Sequence, residues 1–291
     1  MAKSPAHKFG QELGRLIEEI VLDDVLRPQL ETFTRERGYY LDAKGARPAR
    51  RGVKVTWPDR YGNTHDLDFV IEIGGSAHVL GRPIAFIEAA WRRYTKHSKN
   101  KAQEIQGAIL PLIDMHREQA PFHGAVLAGD FTQPAVLQLQ SHGFTVVHLS
   151  KATVVDAFAA AGIDIDFDEG TAESKFTTAG KRLAKLSTAQ RVQVRLFIIN
   201  KCSAALDGFM TALRAVLTRL VVRIVVRTAW GEEHDCASAA IARQAIETID
   251  TATPRGRFLR YELLVNDSNG DAIDASFEAA PDAIEFLSRV V

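Results

Sequence analysis

The chain has 291 residues, of which 46% are hydrophobic and 25% charged, as in an ordinary soluble globular protein of one large domain or two smaller ones. Basic and acidic residues both number 36, so any contact with nucleic acid must come from local basic clusters. Two cysteines, Cys202 and Cys236, exclude a disulfide framework and a zinc site. Without a membrane-length apolar run or a signal peptide, we expect a cytoplasmic protein.

The chain begins with a predicted helix over residues 9–34, which Pro28 should bend or divide. Glu18 and Glu19 flank its apolar stripe. Residues 35–52 form a basic loop rich in arginine and glycine, which suits either contact with a phosphate backbone or plain exposure to solvent. A short strand is predicted over 53–58.

The most informative stretch follows, with one strand predicted over 66–73 and another over 82–91. The three glycines between them favour a hairpin. A turn centred on His78 places Asp68 directly across from Glu88, with Cβ atoms about 5 Å apart. Two acids facing each other on otherwise apolar strands are destabilising unless a positive charge lies between them, and a divalent cation is the natural candidate.

A basic turn comes next, and a helix is expected to begin behind Ser98 as N-cap. Lysines in the first turn of a helix oppose its dipole, which suggests a purpose other than holding the helix. Free N–H groups and cations together predict a phosphate-binding corner, although a solvated basic turn stays possible. The turn contains six basic residues and no acid: Arg92, Arg93, Lys96, His97, Lys99 and Lys101.

The pattern then alternates between strands at 122–131 and 144–150 and helices at 133–143 and 151–162, which predicts parallel strands completing a mixed sheet. The acidic segment 163–174 is interpreted as a boundary between domains. We therefore expect a core domain over 1–165 and an accessory α+β domain over 175–291. No motif that carries chemistry occurs in the second.

In its central residues the chain resembles the PD-(D/E)XK nuclease superfamily: Asp68 matches the motif's Asp, Glu88 its acidic residue, and a helix follows. The predicted order of elements is also similar to that family's αβββαβ core, over roughly residues 8–160. The resemblance implies a restriction-endonuclease-like α/β fold with a mixed sheet flanked by helices. It also implies that Asp68 and Glu88 hold Mg²⁺, with the Ala89 carbonyl as a further ligand. The first helix would lend a further acid, Glu18 or Glu19.

The sequence departs from the family where the motif has a lysine, because Ala90 stands there. Three interpretations stay open. A lysine from the next helix reaches the same space, with Lys101 first, then Lys99 and Lys96; or the chain binds DNA without cutting it; or position 90 was substituted to give an inactive protein.

The resemblance thus predicts a magnesium-dependent endonuclease that cleaves duplex DNA, most similar to a type II restriction enzyme. Catalysis would fall to Asp68, Glu88, Glu18 and Lys101 or Lys99. Such an enzyme would act as a homodimer and alongside a cognate DNA methyltransferase. Two alternatives are a non-cleaving DNA-binding module on the same fold and an interaction protein whose carboxylates are structural. The residues expected to bind DNA are Arg92, Arg93, Lys96, Ser98 and Lys99.

Overall fold

The computed structural model describes residues 4–93, 98–168, 170–228, 230–251 and 257–290. The chain divides into two compact units, the first formed by Met1–Met115 with Phe122–Ala212 and the second by His116–Pro121 with Leu213–Val291. The first unit contains a five-stranded and a two-stranded sheet, and the second contains a four-stranded sheet.

The first unit begins with α1 (Pro5–Glu19), a π-helical turn (Ile20–Leu26), α2 (Arg27–Arg37), β1 (Tyr40–Ala43), β2 (Val55–Pro58), β3 (Thr64–Leu67), β4 (Phe69–Ile73), β5 (Arg82–Arg92) and α3 (Ser98–Met115). It continues with β6 (Phe122–Gly129), α4 (Gln133–Ser141), β7 (Thr145–Ser150), α5 (Lys151–Ala160), α6 (Glu173–Leu183), α7 (Thr188–Lys201) and most of α8 (Ser203–Leu217).

The predicted mixed α/β sheet is confirmed in the first unit. Its described strands lie in the order β1-β4-β5-β6-β7. The pairs β1–β4 and β4–β5 are antiparallel, whereas the pairs β5–β6 and β6–β7 are parallel. The strand expected over 53–58 forms, but as β2 it pairs only with β3 in a separate two-stranded sheet. The sheet edge is instead taken by β1, which lies in the segment predicted to be a loop.

The stretch 66–73 is two strands and not the single strand expected. Its first part belongs to β3 and pairs with β2, whereas its second part is β4 and pairs with β1 and β5. Asp68 lies at the bend between them. The alternation of the sequence did not reveal this break because both strands keep the same period of two residues.

The helix predicted over 9–34 is interrupted by the π-helical turn, and Pro28 lies in the first turn of α2, where a missing N–H is tolerated. The start of α1 is capped by the Ser4 side chain, which accepts a hydrogen bond from the His7 backbone N–H at 3.3 Å. The interruption of the helix is therefore the π-helical turn at Ile20–Leu26, and helical backbone continues through Pro28 into α2.

Two arginines of the predicted basic loop, Arg47 and Arg50, are structural, which removes them from the candidate phosphate contacts. The Arg47 side chain is 2% exposed, and its Nη1 lies 2.5 Å from Glu72 Oε1 and 2.8 Å from Asp42 Oδ2. Arg50 Nε lies 3.0 Å from the same Asp42 oxygen. Because buried carboxylates need such partners, this ion-pair cluster ties the loop to the β1–β4 edge of the sheet.

The boundary predicted over 163–174 lies inside the first unit, which extends to Ala212. Phe9 of α1 packs against Phe167 and Phe176, with ring centroids 5.3 and 5.6 Å apart. The acidic composition of this segment suggested a linker, but its buried aromatic side chains anchor the segment and α6 to α1.

In the second unit, β8 (Val221–Thr228), β9 (Glu233–Cys236), β10 (Tyr261–Asp267) and β11 (Ala272–Phe277) form an antiparallel sheet in the order β11-β10-β8-β9. Helices α9 (Ala239–Thr248) and α10 (Ala280–Val290) contribute to its apolar core. The predicted α+β character is confirmed, β10 and β11 form an antiparallel hairpin, and β9 was not expected.

Across the described ranges no single helix has the length and apolar character needed to cross a membrane. The pair α7 and α8, bent by 72°, reaches that length and composition only when the two helices are taken together.

Candidate functional site

Asp68 and Glu88 lie opposite each other at one end of the β4–β5 ladder, as the hairpin pattern predicted. Phe69 pairs with Ile87 and Val70 with Phe86, so the next positions along the ladder are Asp68 and Glu88. The Asp68 side chain is fixed by the backbone of β5, because the Ala89 N–H donates a hydrogen bond to Asp68 Oδ2 at 2.7 Å.

Glu88 presents a carboxylate oxygen that nothing in the described protein satisfies. Its side chain is 15% exposed, and Oε1 lies 3.8 Å from Lys101 Nζ. The other oxygen, Oε2, is fully buried and has no hydrogen-bond partner among the described residues. Buried carboxylate oxygens without a partner are costly and rare, and a bound cation is one of the ways in which such an atom is satisfied.

Both carboxyl groups hold their protons more tightly than usual. Burial raises the pKa of Glu88 to about 8, the charge of Asp68 adds to this effect, and Lys101 opposes it. Burial also raises the pKa of Asp68 to about 6, where the charge of Glu18 contributes in the same direction. Displaced pKa values of neighbouring acids in a partly buried place are typical of functional sites.

Lys101 is the cation nearest to this pair that the structure records. It lies in the first turn of α3 with its side chain 20% exposed, and its Nζ is 3.4 Å from Glu104 Oε2 in addition to its contact with Glu88. Ala90 is 3% exposed in the apolar cluster beneath α3, which includes Ile105. A lysine at position 90 would therefore project into packed apolar side chains, whereas position 101 lies at the margin of that cluster.

Glu18 is exposed on α1 and lies close enough to share the electrostatic field of the site. Nearby protein atoms raise its pKa by removing solvent, while the charges of Lys101, Arg92 and Lys44 lower it. Lys44 also lowers the pKa of Asp68. Lys44 could not be recognised as part of the site from the sequence, because it follows β1, a strand in the segment predicted to be a loop.

Glu19, the other acid considered on the first helix, is used elsewhere. Its carboxylate lies 2.5 Å from Arg15 Nη1 and 3.5 Å from Arg191 Nη1. Arg191 also pairs with Asp24 at 2.5 Å. This pairing provides a structural role for Glu19 and Asp24 in holding α7.

Two of the residues expected to contact DNA are engaged in the protein instead. The Arg93 guanidinium donates to the Phe167 carbonyl at 2.9 Å and lies over the rings of Phe9 and Phe176. Ser98 is 1% exposed, with its hydroxyl 3.5 Å from that of Thr132. Ser98 is too buried to meet a phosphate backbone, and the hydrogen bond of the Arg93 guanidinium is made to the protein. A pattern of basic and polar residues could not distinguish such positions from exposed ones.

The other expected contacts differ in their surroundings. Arg92 is half-buried at the end of β5, with Nη2 3.6 Å from Glu104 Oε2. Lys99 is exposed on α3, and the structure records no contact between it and Asp68 or Glu88. Lys96 lies outside the described residues.

Within the described ranges no group of three or more His, Cys, Asp or Glu side chains is arranged to hold a metal ion. The Asp68–Glu88 pair thus offers two carboxylates, and backbone oxygens and water would have to supply the remaining ligands. Hard cations such as Mg²⁺ are commonly held by one or two carboxylates with several waters retained.

No protein-family model and no curated protein matches this chain. A solved structure described as "Protein of Unknown Function AF1548" is similar at 10% sequence identity and a TM-score of 0.28, covering 72% of this chain and 99% of the other. A likeness of this degree carries no argument about fold or function.

Proposed function

We propose that this protein is a magnesium-dependent endonuclease acting on duplex DNA, with Asp68 and Glu88 as metal ligands and Lys101 in the place of the missing motif lysine. The observation that carries the proposal is the unsatisfied, buried Glu88 Oε2 beside a second acid and a lysine. A purely structural carboxylate would be expected to have both oxygens satisfied.

The order of elements supports a restriction-endonuclease-like core. If the β2–β3 hairpin is treated as an insertion, the first unit reads α1, then β1, β4 and β5, then α3 and β6. The two acids lie in the second and third strands of that series, and the lysine lies in the helix after it. Assignment to this particular fold is part of the proposal.

The residues present fit a hard divalent cation. Asp68 Oδ2 is oriented by the Ala89 N–H, and Glu88 offers an oxygen without a competing partner. When bound, Mg²⁺ would lower the pKa of a coordinated water and stabilise charge on the scissile phosphate. We propose the Ala89 carbonyl as a further ligand. Asp68 and Glu88 would lose their protons as the ion enters, since a carboxylate binds metal in its ionised form.

Lys101 would orient the attacking water and offset negative charge on the phosphate. Its flexible four-carbon stem suits this task from the start of a helix. Arg92 would bind the DNA backbone next to the scissile phosphate. Glu18 would tune the field from α1, since its charge acts on both Asp68 and Glu88.

A plasmid digest tests the proposal. Wild-type protein with Mg²⁺ should give discrete fragments, and Asp68→Ala or Lys101→Ala should reduce the rate at least about a hundredfold, as loss of a group acting in the transition state does. The matched control is the exposed ion pair of Lys54 and Asp66, 2.5 Å apart, whose substitution by alanine should leave cleavage unchanged. Lys99→Ala distinguishes the two candidate lysines, because cleavage should persist in this variant if Lys101 has the catalytic role.

The second candidate function is a DNA-binding module that does not cut, which the alanine at position 90 favours. A shift in the mobility of DNA without cleavage under any Mg²⁺ concentration would support it and refute the nuclease. Cleavage abolished equally by the Lys54 and Asp66 controls would refute the assigned site.

The restriction-enzyme assignment has further consequences. It predicts a two-fold dimer on a palindromic target and a partner methyltransferase that protects the same sequence. It also predicts a cytoplasmic enzyme. Light scattering of the purified chain would test the dimer, and sequencing of the cleaved ends would test the palindromic target.

A further inference from the structure

A cleft of about 660 Å³ in the first unit adjoins the proposed catalytic group. Its walls come from the start of α1, the end of β5 and the first turns of α3, and they include His7, Trp91, Arg92, Asn100 and Glu104. This volume lies within the range of about 300–1,000 Å³ that is typical of small-molecule sites. Trp91 supplies an aromatic wall, and the other four supply polar groups.

Glu104 connects the cleft to the site. Its carboxylate lies 3.6 Å from Arg92 Nη2 and 3.4 Å from Lys101 Nζ, and Lys101 in turn contacts Glu88. The Glu104 side chain is 59% exposed, whereas those of Arg92 and Lys101 are 30% and 20% exposed. An exposed anion thus bridges two half-buried cations, and such a surface ion pair is weak enough for another anion to displace.

We infer that this cleft binds one nucleotide of the substrate strand, with its phosphate replacing the Glu104 carboxylate between Arg92 and Lys101 and its base entering the cleft. Arginine and lysine together are well suited to a phosphate, the first by its planar fork and the second as a point charge. The inference rests on the proposed function, because that function is what makes the bound nucleotide part of a DNA strand.

A base can enter such a cleft only when it is not stacked and paired inside a regular duplex. The substrate of this site would therefore have a strand end, an unpaired nucleotide or a base turned out of the helix beside the scissile bond. Extrusion of a base costs a few kcal/mol and is easiest at mismatches and ends. The cleft accordingly predicts that cleavage needs one nucleotide to leave the base stack, either because the duplex presents it at an end or mismatch or because the protein turns it out of the helix.

The test measures binding of deoxyadenosine 5′-monophosphate to the full chain by calorimetry, with EDTA present so that cleavage plays no part. Glu104→Gln should tighten binding about threefold because the competing anion is gone, and Arg92→Gln should weaken it about fivefold. The matched controls are Asp114→Asn on the same helix and Arg60→Gln, an exposed pair 2.5 Å apart that should change nothing.

A comparison of inorganic phosphate with deoxyadenosine 5′-monophosphate separates the phosphate-binding part of the site from the base-binding part. Phosphate alone should respond to Arg92→Gln but not to His7→Ala, whereas the nucleotide should respond to both. Phosphate binding as tightly as the nucleotide would overturn the inference, and so would an unchanged affinity in Arg92→Gln.

The outcome is separable from that of the proposed function. Nucleotide binding without any cleavage of DNA would refute the nuclease and support the cleft. Cleavage without nucleotide binding would refute the cleft alone.

Discussion

Replacing Glu88 with glutamine should stabilise the metal-free protein, and the stabilisation should grow as pH rises from about 4.5 to about 8. The buried carboxyl of Glu88 has its pKa raised from 4.5 to about 8 by burial and by Asp68. Between these values the folded state keeps a proton that the unfolded chain has released, so the stability of the wild type falls as pH rises. Glutamine keeps the shape of the side chain and has no charge to bury.

The size of the effect follows from the pKa shift. Each unit is worth about 1.4 kcal/mol, so the shift sets an upper bound of about 5 kcal/mol above pH 8. Part of this belongs to the interaction with Asp68, which titrates in the same range, and local relaxation reduces the rest. We therefore expect Glu88→Gln to raise the free energy of unfolding by about 2 kcal/mol near pH 9, and by little near pH 5.5.

Urea unfolding followed by circular dichroism, in EDTA at both pH values, measures this difference. Asp66→Asn is the control, because that side chain is exposed and paired with Lys54, which lowers its pKa. Mg²⁺ should stabilise the wild type at the higher pH and not Glu88→Gln. Equal destabilisation of Glu88→Gln at both pH values would refute the reasoning, because it would mean that the ionised carboxylate is satisfied inside the fold.

Two other predictions concern the ion-pair cluster and the metal. Arg47→Met should lower the free energy of unfolding by about 3–5 kcal/mol, because it leaves the buried Glu72 carboxylate without its ion-pair partner and Asp42 with Arg50 alone; a loss no larger than that of an exposed arginine in the same urea titration would contradict it. The affinity for Mg²⁺ should rise with pH up to about 8, because Glu88 must release its proton, and calorimetry in two buffers of different ionisation enthalpy should detect that proton; an affinity independent of pH would exclude Glu88 as a ligand.

The features that depend on local pattern were predictable from the sequence. Alternation and a glycine-rich turn predicted Asp68 opposite Glu88. Next to the turn the register is offset by one residue, with Glu72 paired with Pro83, and a bulge between Ile71 and Glu72 restores the predicted pairing further along the strands. The start of α3 and the mixed character of the sheet followed in the same way.

The features that depend on distant partners were not predictable. Arg47 appeared to belong to a solvated basic loop because its partner Glu72 lies far along the chain. Arg93 looked like a phosphate ligand because nothing near it in sequence announces the aromatic side chains of Phe9 and Phe176. The charge of a residue can be read from the sequence, but whether that charge is already neutralised depends on the tertiary structure.

The same distinction explains why the lysine of the site would move from a strand to a helix. Position 90 lies on the same face of β5 as Glu88, but α3 covers it, and alanine fills the space beside Ile105. A lysine there would have to bury its stem and bring its ammonium back past the helix. Position 101 reaches the Glu88 carboxylate from the margin of the same cluster while keeping contact with solvent and with Glu104. The proposed chemistry requires an ammonium near the two acids, whichever element supplies it.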